Sequence, residues 1–259
     1  MPSSILWARG LFFLVRLPDG ACQLRHGTRV LSAATDACLP QASPDGTKVL
    51  FARAQGLALY AGDAAMTVCA GAWASCFRDD DAFLVAKGWG VYWYDVVKWT
   101  GGTTVGLARH FALGQPRRPP PCLERLLVLP GLLVGAAGGR AFVWSEHGKL
   151  VRVLLAERGF ALGQWLGVAE GSTLTVQDPL TGRAEKTYRC APYAVAHAQQ
   201  TARGLLVATR SGMHVRVVNL DTEAETLFAA AGMDAPSFSA EGSALFFSHA
   251  GAAECRPVL

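Results

Sequence analysis

The chain has 259 residues, of which 51% are hydrophobic and 17% are charged. That charged fraction is below the roughly 25% of an average globular protein, so the composition excludes an intrinsically disordered chain. The 24 Lys and Arg residues outnumber the 20 Asp and Glu residues only slightly, giving a net charge of +4. This balance does not indicate a protein that binds nucleic acid through dense positive charge alone.

No segment has the pattern of a membrane span or a signal peptide. The best candidate for a span, residues 126–139, is uncharged but contains a Pro130-Gly131 turn signal. It is also shorter than the roughly 20 apolar residues that a spanning helix needs. The N-terminus lacks a basic segment, and Arg9 interrupts its apolar stretch. We therefore expect no membrane association and a location in the cytoplasm or nucleus.

The seven cysteines are scattered, and no two of them form a CxxC pair. Zinc sites and redox motifs need closely spaced ligands, so this spacing argues against both. Buried free thiols in a reducing compartment are the simpler interpretation.

One pattern recurs seven times along the chain: an apolar run of four residues, a short polar or glycine-containing break, and a second strand-like run. Turn-forming residues such as Ser43-Pro-Asp-Gly46 and Pro130-Gly131 precede several copies, and alternating strands follow the breaks. The copies begin 40 residues apart on average, which is close to the roughly 40–45 residues of a four-stranded propeller blade. Their first residues are Ile5, Val49, Phe83, Leu132, Leu166, Leu205 and Leu245.

The repeats after the break resemble those of the WD-repeat family. Residues 139–154, 172–183 and 213–222 are similar to the third strand, hairpin and fourth strand of that family. Asp95, Asp178 and Asn219 occupy the position of its aspartate, and Ser145 departs from it. The family's Gly-His pairs are absent at the blade starts, so each copy is a degenerate repeat.

These patterns predict an all-β protein in which residues 1–259 form a single WD-like β-propeller domain of four-stranded antiparallel blades. Seven blades fit the repeats best, and six with an irregular joint is the alternative. The first repeat begins at Ile5, and the last leaves room for only three strands before the chain ends. We therefore expect the N- and C-terminal strands to pair and close the ring.

A proline-rich segment at about residues 110–124 interrupts the repeats. Consecutive prolines do not fit a central strand, so this segment is predicted to be an exposed connection between blades. It is either a plain linker or a docking ligand for a proline-reading module. The candidate docking residues are Arg117, Arg118, Pro119, Pro120 and Pro121.

No catalytic fingerprint of the GxSxG, HExxH or GxxxxGK[ST] type is present, and the six histidines are dispersed. The Asp79-Asp-Asp81 run fits a hairpin turn better than a cation site. We therefore predict a protein that is not an enzyme and uses no cofactor or metal. Because a propeller can gather a site at its channel, a hydrolase or lactonase using Glu170 and His249 remains an alternative.

Positively charged residues lie within two positions of several of the apolar runs. If the blades are equivalent, these residues share one face of the ring and attract an acidic peptide or a phosphate. Trp89, placed between two glycines, is either an exposed anchor for a partner or folded over its own blade. The candidate partner-binding residues are Arg9, Arg53, Lys87, Trp89, Arg210 and His249.

The WD-repeat resemblance implies an interaction scaffold, a subunit or adaptor of a protein complex. The charges favour protein partners with acidic surfaces. The first alternative is a propeller that binds RNA within a ribonucleoprotein, for which steep salt dependence is expected. A purely structural subunit held by one large interface is a further variant.

Overall fold

The computed structural model describes residues 4–9, 12–17, 21–32, 38–53, 56–62, 64–71, 74–99, 102–116, 123–230, 233–239, 241–249 and 252–258. Strands and turns account for this part of the chain, and it contains no helix. The strands form seven antiparallel sheets, arranged as the blades of a β-propeller. The predicted fold class and the seven blades are confirmed.

The first three blades have four strands each. Blade 1 contains β1 (Ser4–Arg9), β2 (Phe12–Arg16), β3 (Cys22–His26) and β4 (Arg29–Ser32). Blade 2 contains β5 (Cys38–Ala42), β6 (Lys48–Arg53), β7 (Gly56–Ala61) and β8 (Ala64–Cys69). Blade 3 contains β9 (Ala74–Phe77), β10 (Ala82–Lys87), β11 (Gly90–Trp99) and β12 (Gly102–Ala112).

The remaining blades repeat this order, with three strands in the described part of the last. Blade 4 contains β13 (Arg125–Leu129), β14 (Leu132–Ala137), β15 (Arg140–Ser145) and β16 (Leu150–Leu155). Blade 5 contains β17 (Arg158–Leu162), β18 (Trp165–Glu170), β19 (Thr173–Gln177) and β20 (Ala184–Arg189). Blade 6 contains β21 (Ala194–Thr201), β22 (Gly204–Ser211), β23 (His214–Asn219) and β24 (Glu225–Ala229). Blade 7 contains β25 (Asp234–Phe238), β26 (Ala244–His249) and β27 (Ala252–Pro257).

The ring closes by packing between the first and last blades. The first strand of a blade contacts the first strand of the next, from β5 through to β25, and β1 contacts β25 and β26. The expected pairing of the two terminal strands is not present among the described residues. β1 instead pairs with β2 as the inner strand of its own sheet, and β27 pairs with β26.

The core is a set of apolar layers between neighbouring blades. Six buried clusters are present in the described residues, and each contains side chains from two adjacent blades. Trp144, which is fully buried, belongs to the layer between blades 3 and 4. Strands buried on both faces explain the nearly continuous apolar runs in the sequence, such as Val49–Phe51.

Polar side chains fix the turns that the sequence marks. The Asn219 Oδ1 atom accepts hydrogen bonds from the N–H groups of Asp221 and Thr222, at 3.0 and 3.3 Å. The Asp178 Oδ1 atom accepts two equivalent bonds, and chiefly the bond from the Thr181 N–H lowers the pKa of this carboxyl group. Asp178 and Asn219 therefore lie where the third strand turns into the fourth, as expected. Asp95 differs, because it lies within β11, four residues before the end of that strand.

The first repeat has a different register from the one that the sequence suggests. The apolar runs at Val49, Phe83, Leu132, Leu166, Leu205 and Leu245 belong to second strands. The run at Ile5 instead belongs to a first strand, and residues 12–16 form the second strand of blade 1. Two apolar runs follow each other here, and the spacing between repeats favoured the earlier run as the second strand.

Candidate functional site

Antiparallel connections bring the turns after all seven second strands to one face of the ring, which we call the upper face. The connections between successive blades reach the same face. The residue that ends the second strand therefore has the same position in every blade. In chain order these residues are Arg16, Arg53, Lys87, Ala137, Glu170, Ser211 and His249.

Arg9 does not belong to this set, which corrects its predicted placement. It ends β1, so it lies beside the turn from the first to the second strand, at the opposite face of the ring. The equivalent cation of blade 1 is Arg16, which the sequence analysis missed. A run of apolar residues followed by an arginine, Phe12 to Arg16, was the signal that could have found it.

The two other predicted arginines on the upper face are half-buried and contact their own protein. The Arg53 guanidinium lies 4.9 Å from the centre of the Phe51 ring. The Arg210 Nη1 atom donates a hydrogen bond to the Met233 carbonyl oxygen at 3.0 Å, which fixes the connection into blade 7. These contacts hold both guanidinium groups in place at the rim of the face.

Lys87 is exposed at the end of β10, so its charge is available to a partner. Trp89, in the turn that follows, is half-buried. Its ring packs edge-on against Phe142 and Trp144 of blade 4, with centroids 6.1 Å away in both cases. Of the two roles predicted for Trp89, a packed side chain matches this geometry better than an exposed anchor. The ring packs across the interface with blade 4, however, and not over its own blade.

An exposed apolar residue on the upper face was missed in the sequence. Met213, in the turn after β22, has 65% of its surface exposed, and the neighbouring His214 is also exposed. The turn lies within three residues of Arg210. A methionine in a two-residue turn was the available signal, since such turns usually carry polar or glycine residues.

Two glutamates stabilise neighbouring turns of the upper face in the same way. The Glu124 carboxylate accepts a hydrogen bond from the Gly138 N–H, and Glu157 accepts one from the Gly171 N–H, both at 3.0 Å. Each glutamate immediately precedes the first strand of its blade. The paired Glu-Arg sequences at 124–125 and 157–158 mark this arrangement, and the sequence analysis did not use them.

The side chains of the remaining predicted site residues lie outside the described part of the chain. The position of His249 is the end of β26, and its side chain is outside the described residues. The docking residues Arg117, Arg118, Pro119, Pro120 and Pro121 also lie outside the described residues. The strand β12 extends to Ala112, so the connection itself comprises residues 113–124.

The described residues do not gather the groups expected of a catalytic centre. Glu170 and His249 end second strands of blades 5 and 7, so blade 6 separates their strands. Within the described ranges no group of three potential metal ligands is close enough to hold an ion. In the acidic turn, Asp81 lies 3.3 Å from the buried Lys48 ammonium group, which also approaches Asp45 at 3.5 Å.

Two grooves open between neighbouring blades. The first, of about 280 Å³, lies between blades 3 and 4 and is lined by Trp93, Phe111, Arg78 and Glu146, among others. The second, of about 250 Å³, lies between blades 5 and 6. In the part of the chain described here, no helix is long and apolar enough to cross a membrane.

Two solved structures show which class of fold this is. The WD40 propeller domain of Doa1 is similar over 99% of this chain and 93% of its own, with a TM-score of 0.66 and 10% identity. The C-terminal WD40 domain of Sif2 is similar over 99% of this chain and 81% of its own, with a TM-score of 0.58 and 12% identity. No protein-family profile matches the sequence, and no curated protein matches it either. The chain therefore has the fold of WD40 propeller domains.

Proposed function

We propose that the protein is a non-catalytic scaffold that binds other proteins through its upper face. The observation that supports this most directly is the repetition of cations at one structural position. The second strands of blades 1, 2 and 3 end in Arg16, Arg53 and Lys87, and that of blade 6 carries Arg210 next to its end. Three of the seven equivalent positions thus carry a cation, and a fourth blade carries one at the adjacent position.

The physical properties of this face suit an acidic protein partner. Lys87 supplies an exposed charge, and Arg53 and Arg210 are held by internal contacts, so ordering these two side chains on binding costs little entropy. Met213 supplies an exposed apolar side chain that a partner can bury. Positive charges on the same face as an apolar contact favour rapid association with proteins of opposite charge.

The connection between blades 3 and 4 is a second candidate docking element. Its two described ends are buried: Leu113 is 3% exposed and Leu123 is 1% exposed. The Leu113 N–H donates to the Trp89 carbonyl oxygen at 2.7 Å, and the Glu124 N–H donates to Ala136 at 2.8 Å. These fixed ends, together with the Pro and Arg composition between them, support presentation of residues 115–122 to a proline-reading module.

The test is to isolate the protein from the cells that make it, at low salt, and to identify its stoichiometric partners by mass spectrometry with and without nuclease. Partners that survive nuclease are expected. The Lys87→Glu, Met213→Asp double variant should lose them, because it reverses the charge and removes the apolar contact. The control is Lys186→Glu with Leu227→Asp, which makes the same changes on exposed outer strands.

The outcome of this experiment distinguishes the proposed function from its alternatives. If the upper-face variant keeps every partner that the control keeps, the upper face is not the binding surface. If the partners are lost on nuclease treatment and binding falls steeply with salt, the cations contact RNA and the alternative function applies. A protein that is isolated alone under all conditions contradicts the scaffold proposal.

A further inference from the structure

The outer strand of blade 4 is an unusually apolar sheet edge. β16 is hydrogen-bonded to β15 on one side and is the last strand of its sheet. Val151, Val153 and Leu155 are 42%, 41% and 71% exposed. In the described part of the chain, nine large apolar side chains are exposed, and three of them lie on this one strand.

The ladder of blade 4 shows which backbone groups of β16 face outwards. The Ala156 N–H donates to the Gly139 carbonyl oxygen at 3.1 Å, so these two residues form a hydrogen-bonded pair. Because such pairs alternate in an antiparallel ladder, Leu154 is bonded to Ala141, and the N–H and C=O groups of Val153 and Leu155 point away from β15. The edge therefore offers two unused donors and two unused acceptors in line.

The equivalent strand of the next blade carries polar and charged residues at the same positions. In blade 5 the Cys190 N–H bonds to Ser172, which places Arg189, Thr187 and Glu185 where β16 has Leu155, Val153 and Val151. In blade 7, the third strand, β27, is the last described strand of its sheet; it carries an ion pair between Glu254 and Arg256, and Pro257 follows. Charges and proline are the usual protection of sheet edges against pairing, and β16 lacks them at its outward positions.

The charges around β16 select the kind of strand that fits. Arg140, which lies opposite Leu155, and Lys149, which precedes the strand, are both exposed. Arg152 on the strand itself adds a third cation. Two acids lie near the strand: Glu146 is 3.7 Å from His147, and Glu157 accepts a hydrogen bond from the Gly171 N–H at 3.0 Å. We propose that β16 binds an extended segment of a partner protein as a fifth strand of blade 4, with alternating apolar residues and acidic residues at its ends.

Pairing of β16 with a second copy of the chain is less favourable on the same grounds. If the outward-facing Val153 residues of two copies pair with each other, ladder parity places Lys149 opposite Glu157 and Arg152 opposite Leu154, so a self-pair leaves Arg152 without an acidic partner. A partner strand with acidic residues opposite both cations is better matched, because opposite charges across a strand pair stabilise it. The strand edge does not include the turns that carry Lys87 and Met213, so it does not depend on the function proposed above.

The probe is a fluorescein-labelled peptide with five alternating valine and threonine residues, flanked by two glutamates at each end. Its control carries lysines in place of the glutamates. Binding to the full chain is measured by fluorescence anisotropy. The critical variant is Val153→Pro, since proline removes an outward N–H without removing a bond of the blade's own ladder. The matched control is Thr187→Pro, at the same ladder position of β20.

We expect the acidic peptide to bind at least about tenfold more tightly than the basic one, and Val153→Pro to weaken it at least about tenfold. Thr187→Pro and Lys87→Glu should leave the affinity unchanged, which separates this site from the upper face. Val153→Lys is a second variant that keeps the backbone donor and adds an unfavourable charge; it should also weaken binding. Equal affinity for both peptides, no binding by the wild type, or full binding by Val153→Pro would overturn the proposal. So would concentration-dependent dimerisation that Val153→Pro abolishes, because a second copy would then cover the edge.

Discussion

The indole Nε1 atom of Trp144 donates a hydrogen bond to the carbonyl oxygen of Gly114, 2.8 Å away, across the interface between blades 3 and 4. The Gly114 N–H donates to the Gly148 carbonyl oxygen at 2.6 Å. The Gly114 backbone, just after β12, is thus bonded to blade 4 through both its N–H and its C=O group. The start of the proline-rich connection is held by these two bonds.

We expect Trp144→Phe to lower the free energy of unfolding by about 1–2 kcal/mol. The phenyl ring keeps most of the apolar contact with Trp89 and Phe142, but the Gly114 carbonyl loses its donor. Urea unfolding followed by circular dichroism measures the change. The control is Trp165→Phe, where the indole is only partly buried. Equal losses in the two variants would show that the hydrogen bond contributes little.

Alanine substitutions at Gly148 and Gly131 test how closely blades 3 and 4 approach each other. Both have positive φ, +83° and +70°, so alanine strains the backbone in each case. A Cβ atom at Gly148 would also lie 2.2 Å from the Ala112 carbonyl oxygen, whereas Gly131 has open space. We expect Gly131→Ala to cost about 1 kcal/mol and Gly148→Ala at least about 3 kcal/mol, measured by urea unfolding.

Protonation of Asp45 should lower the stability of the protein in acid. Burial raises the pKa of this carboxyl, but hydrogen bonds from Ser43 and Thr47 and the charge of Lys48 outweigh it and lower the pKa from 3.8 to about 2. The stabilisation is therefore complete above pH 3.8 and is lost as the pH falls towards 2. The urea midpoint of the wild type should decrease over this window, and that of Asp45→Asn should decrease less. Parallel curves would contradict this role for Asp45.

The cysteines should differ sharply in reactivity. Complete burial raises the pKa of the Cys76 thiol to about 12, whereas Cys255 is exposed. Since the thiolate is the reactive form, iodoacetamide should modify Cys255 in the native protein and Cys76 only after unfolding. Peptide mapping by mass spectrometry measures the two separately. Rapid native modification of Cys76 would mean that blade 3 opens readily.

Six of the seven repeats could be placed from the sequence because a strand buried on both faces is apolar at every position. Val49–Phe51 is such a strand, and it is followed by a turn that is equally recognisable. The same signal failed at the start of the chain, where the apolar runs after Ile5 and Phe12 are alike and only pairing distinguishes them. Arg9, which ends the first strand of blade 1, was consequently assigned to the end of the second strand.

The candidate site was harder to predict, because exposure depends on contacts between blades. Trp89 lies in a turn, and its packing depends on Trp144, 55 positions later. The Arg210 side chain is held by the Met233 carbonyl, a backbone group that no residue pattern identifies. The outward direction of Val153 similarly follows from ladder parity set by the glycine turn at Gly138-Gly139.

Each described apolar layer has walls that come from two different blades, for example Phe160 of blade 5 against Val207 of blade 6. A cut between any two of these blades therefore divides a layer and leaves an unpaired apolar wall on both pieces. Fragments made by cutting at a turn should be insoluble when expressed singly. They should regain structure only when both pieces are present together, which makes this chain suited to a split-protein reporter.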